Sequence, residues 1–374
     1  MNPTRRTTRS RTTCERHLDD GTQQMTDVAV VGFAQAPNER HSPATTNGVE
    51  MLVPIFQQVL QSTGLKKDDI GFWCSGSSDY LAGRAFSFVS AVDAIGAFPP
   101  VMESHVEMDG AWALYEAWLK ILTGEAEIAL AYGFGKSSAG TLRRVLALQL
   151  DPYLVAPLWP DSVAIAALQA RLGIEAGLWS EAEMAGVAAR SRASAGTNSL
   201  APVSGGIAPE DLLAGPYIAD PLRAHDCAPV TDGAAVVILA ADKRARELCE
   251  RPAWISGFEH RIDSASLGAR DLTTSPSAAA AAKAAGAERA DVAELHAPFT
   301  HQELILRRAM SIGDEALINP SGGALAANPM FAAGLARIGL AATDVIEGRA
   351  GVAVGHATSG PALQQNLVCV MEAR

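Results

Sequence analysis

The chain has 374 residues, 30 Lys and Arg against 41 Asp and Glu, and a net charge of −11. That balance argues against a surface built to neutralise nucleic-acid phosphates, and no apolar run approaches the ~18 residues that a membrane-spanning helix needs. Five scattered cysteines without a CxxC pair give neither a disulfide framework nor a zinc knuckle, so a cytoplasmic α/β protein without a metal site is expected.

Residues 1–24 carry five Arg and almost nothing apolar, and are expected to be an arm or an early start outside the fold. Val28–Val31 followed by Gly32 predicts a buried strand, and apolar residues at helical spacing predict a helix over Asn47–Leu60. Ile70–Cys74 is the next strand. Alternation of strands with amphipathic helices implies parallel β structure covered on both faces. An internal repeat follows: GEAEIALAYG from Gly124 and GRAGVAVGHA from Gly348 match at a constant offset of 224 residues. Each copy is preceded by a small-residue helix, Gly110–Leu122 and Met330–Ala341, which suits close packing between two sheets. Residues 137–222, broken by seven prolines, predict an inserted loop domain with helical patches near 161–172 and 180–194. Strands are expected at Ala234–Leu239 and Trp254–Phe258, and a helix over Thr300–Met310.

The residues that could carry chemistry gather near the end of the chain. His296 closes a short strand, Asn319–Gly323 is a glycine turn, Asn328-Pro329 follows, and Gly355–Gly360 ends the second repeat strand with His356. Strand ends are where ligands meet loop amides and helix N-termini in α/β folds.

Together with Asp226–Ala235, these turns occur in the order and spacing of the thiolase superfamily, and residues 26–374 resemble its lipid-transfer or sterol-carrier-linked branch. The resemblance implies a five-layer αβαβα sandwich of two similar halves. Residues 26–250 would form the first half, with the loop domain, and 251–374 the second. It also implies an acyl-CoA thioester as substrate with no tightly bound cofactor, and a homodimer or thiolase-like heteromer. On that alignment Glu107 stands at the nucleophilic cysteine, Asn328 at the Gly-His-Pro histidine, His356 at the second cysteine, and His296 at a retained histidine. Ser321, Gly322, Gly323, Ser359 and Gly360 would contact coenzyme A. With both cysteines missing, relatives of this branch imply retro-aldol cleavage of a β-hydroxyacyl-CoA in steroid or lipid side-chain degradation, alongside a zinc-ribbon/OB-fold partner protein. Such aldolases are associated with active-site tyrosines, and none of Tyr80, Tyr115, Tyr132, Tyr153 and Tyr217 lies at the C-terminal turns. Two other readings stand beside it: an acyl-CoA acetyltransferase using Cys74 or a partner residue, and a non-catalytic subunit of a heteromer that binds acyl-CoA.

Overall fold

A computed structural model describes residues 26–374 apart from 44–46, 83–85 and 97; the arm at 1–24 lies outside the described residues. Ten strands form one hydrogen-bonded sheet. In chain order they are β1 (Val28–Gln35), β2 (Phe72–Gly76), β3 (Glu103–Val106), β4 (Ile128–Lys136) and β5 (Asp232–Ala241), then β6 (Ala253–Ile262), β7 (Val292–Glu294), β8 (Leu317–Ile318), β9 (Val352–Ser359) and β10 (Gln365–Glu372). The spatial order is β3-β2-β4-β5-β1-β6-β10-β9-β7-β8. Each half therefore repeats one pattern, with strand n of the first half matching strand n+5 of the second.

The sheet is mixed, not wholly parallel. β3, β2 and β4 run parallel, as do β8, β7 and β9, while β5 and β1, like β10 and β6, pair antiparallel. Only two residue pairs, Ala29↔Trp254 and Val30↔Ala253, join the halves across β1 and β6.

Eight helices matter for the argument: α1 (Gly48–Thr63), α2 (Ser87–Ile95), α3 (Gly110–Leu122), α4 (Ser162–Glu175), α5 (Glu181–Ser194), α6 (Pro276–Ala285), α7 (Thr300–Ala309) and α8 (Ala333–Ile346). Period-two alternation sorts the strand side chains into layers. In the first half Phe72, Cys74, Ala129, Ala131, Val237 and Leu239 join one core with α3 and α8, and residues of the second half's inner face, such as Ala353, Ala357, Leu367 and Cys369, join the same core. The alternate residues Trp73, Leu130, Tyr132, Val236 and Ile238 pack outward with α1. On the second half Ala293, Leu295, Val354, Val368 and Val370 pack outward with α6 and α7. The result is the five-layer α-β-α-β-α sandwich, with α3 and α8 as its middle layer.

That middle layer explains the abundance of small residues. Gly133 tolerates no side chain, because a Cβ would lie 2.1 Å from the carbonyl oxygen of Phe331 in the approach to α8. A Cβ on Gly355 of β9 would lie 2.5 Å from Cα of Ile338 in α8 itself. α1 starts at Asn47, whose side chain accepts from the amides of Val49 and Glu50, a capping box that fixes the helix start one residue from the sequence expectation. α8 begins at Ala333, so the 330–332 segment expected to be helical is instead a turn laid against β4.

Candidate active site

His296 follows β7 by two residues and is buried. The parallel neighbour β9 brings the backbone amide of Thr358 to 3.4 Å from its Nδ1, and Nε2 lies 3.0 Å from Oδ1 of Asn328. An amide donating to Nδ1 and a carbonyl oxygen at Nε2 select the Nε2–H tautomer of a neutral ring. Burial pushes the imidazole down to about 4, with Asn328 opposing that shift and Arg337 adding to it. Asn328 is held by its own backbone amide, which donates to Thr231 Oγ1 at 3.0 Å. Its side-chain oxygen is engaged by His296, and its Nδ2 makes no hydrogen bond among the described residues.

The N-termini of the two central helices meet at one carboxylate nearby. Asp109 caps α3 by accepting from Ala111 N at 2.9 Å. It also accepts from Gly334 N at 3.0 Å and Leu335 N at 2.9 Å, the first turn of α8. Buried N–H groups at helix starts are costly when unpaired and carry partial positive charge, so a single acidic side chain satisfies both ends. Burial raises the carboxyl's pKa, and the three amides oppose the rise. The motif spacing points to Glu107, whereas the structure gives the bridging role to Asp109. An Asp before a helix is a legible cap signal; its second role, across 225 residues, is not.

The structure does not bring Glu107 to His296 and Asn328. β3 alternates so that Glu103, His105 and then Glu107 project to the outer face. Glu107 is 52% exposed; it accepts from Asp79 N at 2.9 Å and lies 3.4 Å from His105 Nε2. His356 is also turned away. It is fully buried on the outer face of β9, with Nε2 3.0 Å from Asn366 Oδ1. Asn366 in turn donates to Ser277 Oγ at 2.7 Å and Leu363 O at 2.9 Å. Desolvation pushes His356 down to about 3, and its Nδ1 has no partner among the described residues. The repeat explains its direction: at the offset of 224, His356 matches Tyr132, the corresponding outward position of β4.

No family model matches the sequence. An acetyl-CoA acetyltransferase of Methanocaldococcus jannaschii is 25% identical over 353 residues, covering 84% of this chain and 88% of that protein. An acetyl-CoA acetyltransferase of Methanothermobacter thermautotrophicus is 37% identical over 65 residues, 17% of each chain. Among solved structures, the Ltp2-ChsH2(DUF35) aldolase superposes with a TM-score of 0.73 at 18% identity, over 93% of this chain and 98% of that one. Over most of its length the chain is similar in sequence to an acetyl-CoA acetyltransferase, and it shares the fold of a thiolase-like aldolase.

In an acetyl-CoA acetyltransferase-like chain the thiols are the natural nucleophiles. Burial pushes Cys74 and Cys227 up to about 12, and raises Cys249 and Cys369 as well. All four described cysteines are therefore protonated at neutral pH, the opposite of an activated nucleophile.

The glycine turn of this thiolase-like chain is a joint between its parts. Ser321 donates from N and Oγ to Glu294 at 2.9 and 2.7 Å, and Arg337 donates to both Ser321 Oγ (2.8 Å) and Glu294 (3.0 Å). The loop-domain helix α5 closes on it: Ser191 donates to the Gly322 carbonyl, Arg190 pairs with Glu303, and Asn198 Nδ2 donates to Ser321 O at 3.0 Å. A Cβ on Gly322 would meet Ala195 at 2.6 Å. Ser321, Gly322 and Gly323 are thus engaged internally. Ser359 ends β9, and Gly360 turns beside Gln364, with a positive φ of 74°. Two open surface clefts, one lined by Trp179, Arg307 and Arg308 and the other by Cys249, Arg251 and Ile346, include none of these residues.

Proposed function

We propose that the protein cleaves a β-hydroxyacyl-CoA by a retro-aldol step, without a covalent acyl-enzyme. The observation that carries this reading is the His296–Asn328 pair: a neutral imidazole bonded to an amide whose NH2 makes no hydrogen bond among the described residues, in a chain whose described thiols are all held protonated. The step needs a base for the β-hydroxyl and a donor for the enolate oxygen, but no nucleophile. His296 Nδ1, released from its 3.4 Å contact with Thr358, takes the hydroxyl proton. The Cα–Cβ bond breaks as the β-carbon becomes a carbonyl, and the electron pair passes to the thioester as an enolate. Asn328 Nδ2 donates to the enolate oxygen, and its Oδ1 stabilises the imidazolium through Nε2–H. Return of the proton to the α-carbon releases a shortened acyl-CoA.

The fold shared with the Ltp2-ChsH2(DUF35) aldolase supports both this reaction and a partner protein of DUF35 type; a zinc-ribbon/OB-fold architecture for that partner is part of the proposal. A steroid or lipid side chain as acyl group, at least a dimeric assembly and a cytoplasmic setting belong to the same proposal. The names of the two acetyl-CoA acetyltransferases favour a second reading, CoA-dependent acyl transfer.

The two are separated with purified protein, alone and with a co-expressed partner. Retro-aldol cleavage releases a carbonyl compound and an acyl-CoA from a β-hydroxyacyl-CoA without free CoA, and survives thiol alkylation. Cleavage only of a β-ketoacyl-CoA, only with free CoA and lost on alkylation, would replace the proposal by the acetyltransferase reading.

A further inference from the structure

A second constellation lies on the outer face of the first half-sheet, near the C-terminal ends of the parallel strands β2, β3 and β4. Ser75 of β2 sits in register with His105 of β3 on one side and Tyr132 of β4 on the other. Ser75 Oγ is 3.0 Å from His105 Nδ1, and His105 Nε2 is 3.4 Å from Glu107 Oε2. A proton on Nε2, drawn by the carboxylate, leaves Nδ1 free to accept from the serine. That is the logic of nucleophile, base and orienting acid. On the same face Trp73 Nε1 is a buried donor without a partner among the described residues, and the buried Tyr132 hydroxyl, also outside strict hydrogen-bond geometry, lies beside Ser75. Such donors are rare in folded proteins and call for an occupant.

We propose that Ser75, His105 and Glu107 form a second acyl-transfer site, which hydrolyses small acyl esters or thioesters. Ser75 Oγ bonds to the carbonyl carbon and gives its proton to His105 Nδ1. The carbonyl π pair moves to the oxygen, where Tyr132 and Trp73 supply hydrogen bonds. Collapse breaks the bond to the leaving alcohol or thiol, which takes the proton from His105. Water then attacks the Ser75 ester, passing its proton through His105 back to Ser75, and releases a carboxylic acid. Glu107 acts through His105 as a positioning residue. Ser75 is fully buried, and the ring of Phe88 in α2 stacks on His105 at 4.6 Å, so entry requires Phe88 to swing away. The site shares no residue with His296 and Asn328.

The test is labelling of the full chain with a small alkyl fluorophosphonate, mapped by peptide mass spectrometry. The expected result is a modified Ser75, labelled faster in Phe88→Ala. His105→Gln should slow labelling about 100-fold, and Glu107→Gln should slow it less. Circular dichroism establishes that each variant is folded; should His105→Gln fail to fold, blocking His105 with diethyl pyrocarbonate in native protein gives the same reading. No label on Ser75 in either native protein or folded Phe88→Ala overturns the proposal. So does labelling indifferent to the loss of His105.

Discussion

At the scale of single residues, the site is defined by which polar groups are already satisfied. Asn328 has its carbonyl oxygen committed to His296 and its amide hydrogens uncommitted among the described residues, which is the arrangement of a donor awaiting a ligand oxygen. Asn328→Ala should lower kcat for β-hydroxyacyl-CoA cleavage by about 10²–10³-fold with KM little changed, the size seen for loss of one oxyanion donor. An equal rise in KM with kcat unchanged would mean that Asn328 only binds substrate. Asp109 makes a different claim. Asp109→Ala strands three buried amides at two helix starts and should cost about 3–5 kcal/mol in urea unfolding. Asp109→Asn keeps one oxygen acceptor and should cost about half as much. A loss below about 1 kcal/mol for the alanine variant would show that the helix ends find other partners.

At the scale of elements, the glycines of β4 decide how close the approach to α8 can come, and that approach carries Asn328. Gly133→Ala forces a Cβ toward the Phe331 carbonyl, a backbone atom that cannot rotate aside. We expect a loss of about 2 kcal/mol or more together with reduced turnover, because the 328–331 segment must shift. Gly140→Ala, where nothing lies within 4 Å, is the matched control and should be silent in both assays. Elements also show what the sequence could reveal. The small-residue helix Gly110–Leu122 was legible because its caps and periodicity are local. The outward turn of Glu107 was legible in principle, since Glu103, His105 and Glu107 alternate. A motif alignment that fixes only linear position overrode that period. His356 is the same case, readable from its repeat partner Tyr132 in a buried strand. By contrast, the β1–β6 junction rests on two residue pairs about 225 residues apart, and the Asp109 bridge spans a similar distance. Contacts of that range leave no periodic trace in either segment.

At the scale of the whole molecule, three histidines are buried as neutral rings in the second half, two of them, His296 and His356, close enough to interact. They are His296 at about 4, His301 at about 3 and His356 at about 3, each lowered first by desolvation. His301, in the first turn of α7, has its Nε2 3.1 Å from Oε1 of Gln169 in α4. Unfolding returns each to a pKa near 6.5, so the unfolded chain binds more protons than the folded one at every pH between those values. Stability from this source is therefore fully present above about pH 6.5 and is lost as pH falls towards 4 and then 3. Three carboxyls oppose the trend: burial raises Glu103, Asp109 and Glu294, so each favours the folded state as it protonates. The histidines shift together, while in each carboxyl the rise is opposed by neighbours, amides for Asp109, Arg337 and Ser321 for Glu294, His105 and Ser75 for Glu103, so the net slope should remain positive. We expect the thermal midpoint to fall steadily from pH 7 to pH 4.5. His301→Gln, which keeps a side-chain amide beside Gln169, should flatten that fall by about one histidine's share. A profile unchanged by His301→Gln would mean that the ring is charged in the folded protein. In that event the neutral, desolvated interior on which His296's role as a base also rests would have to be revised.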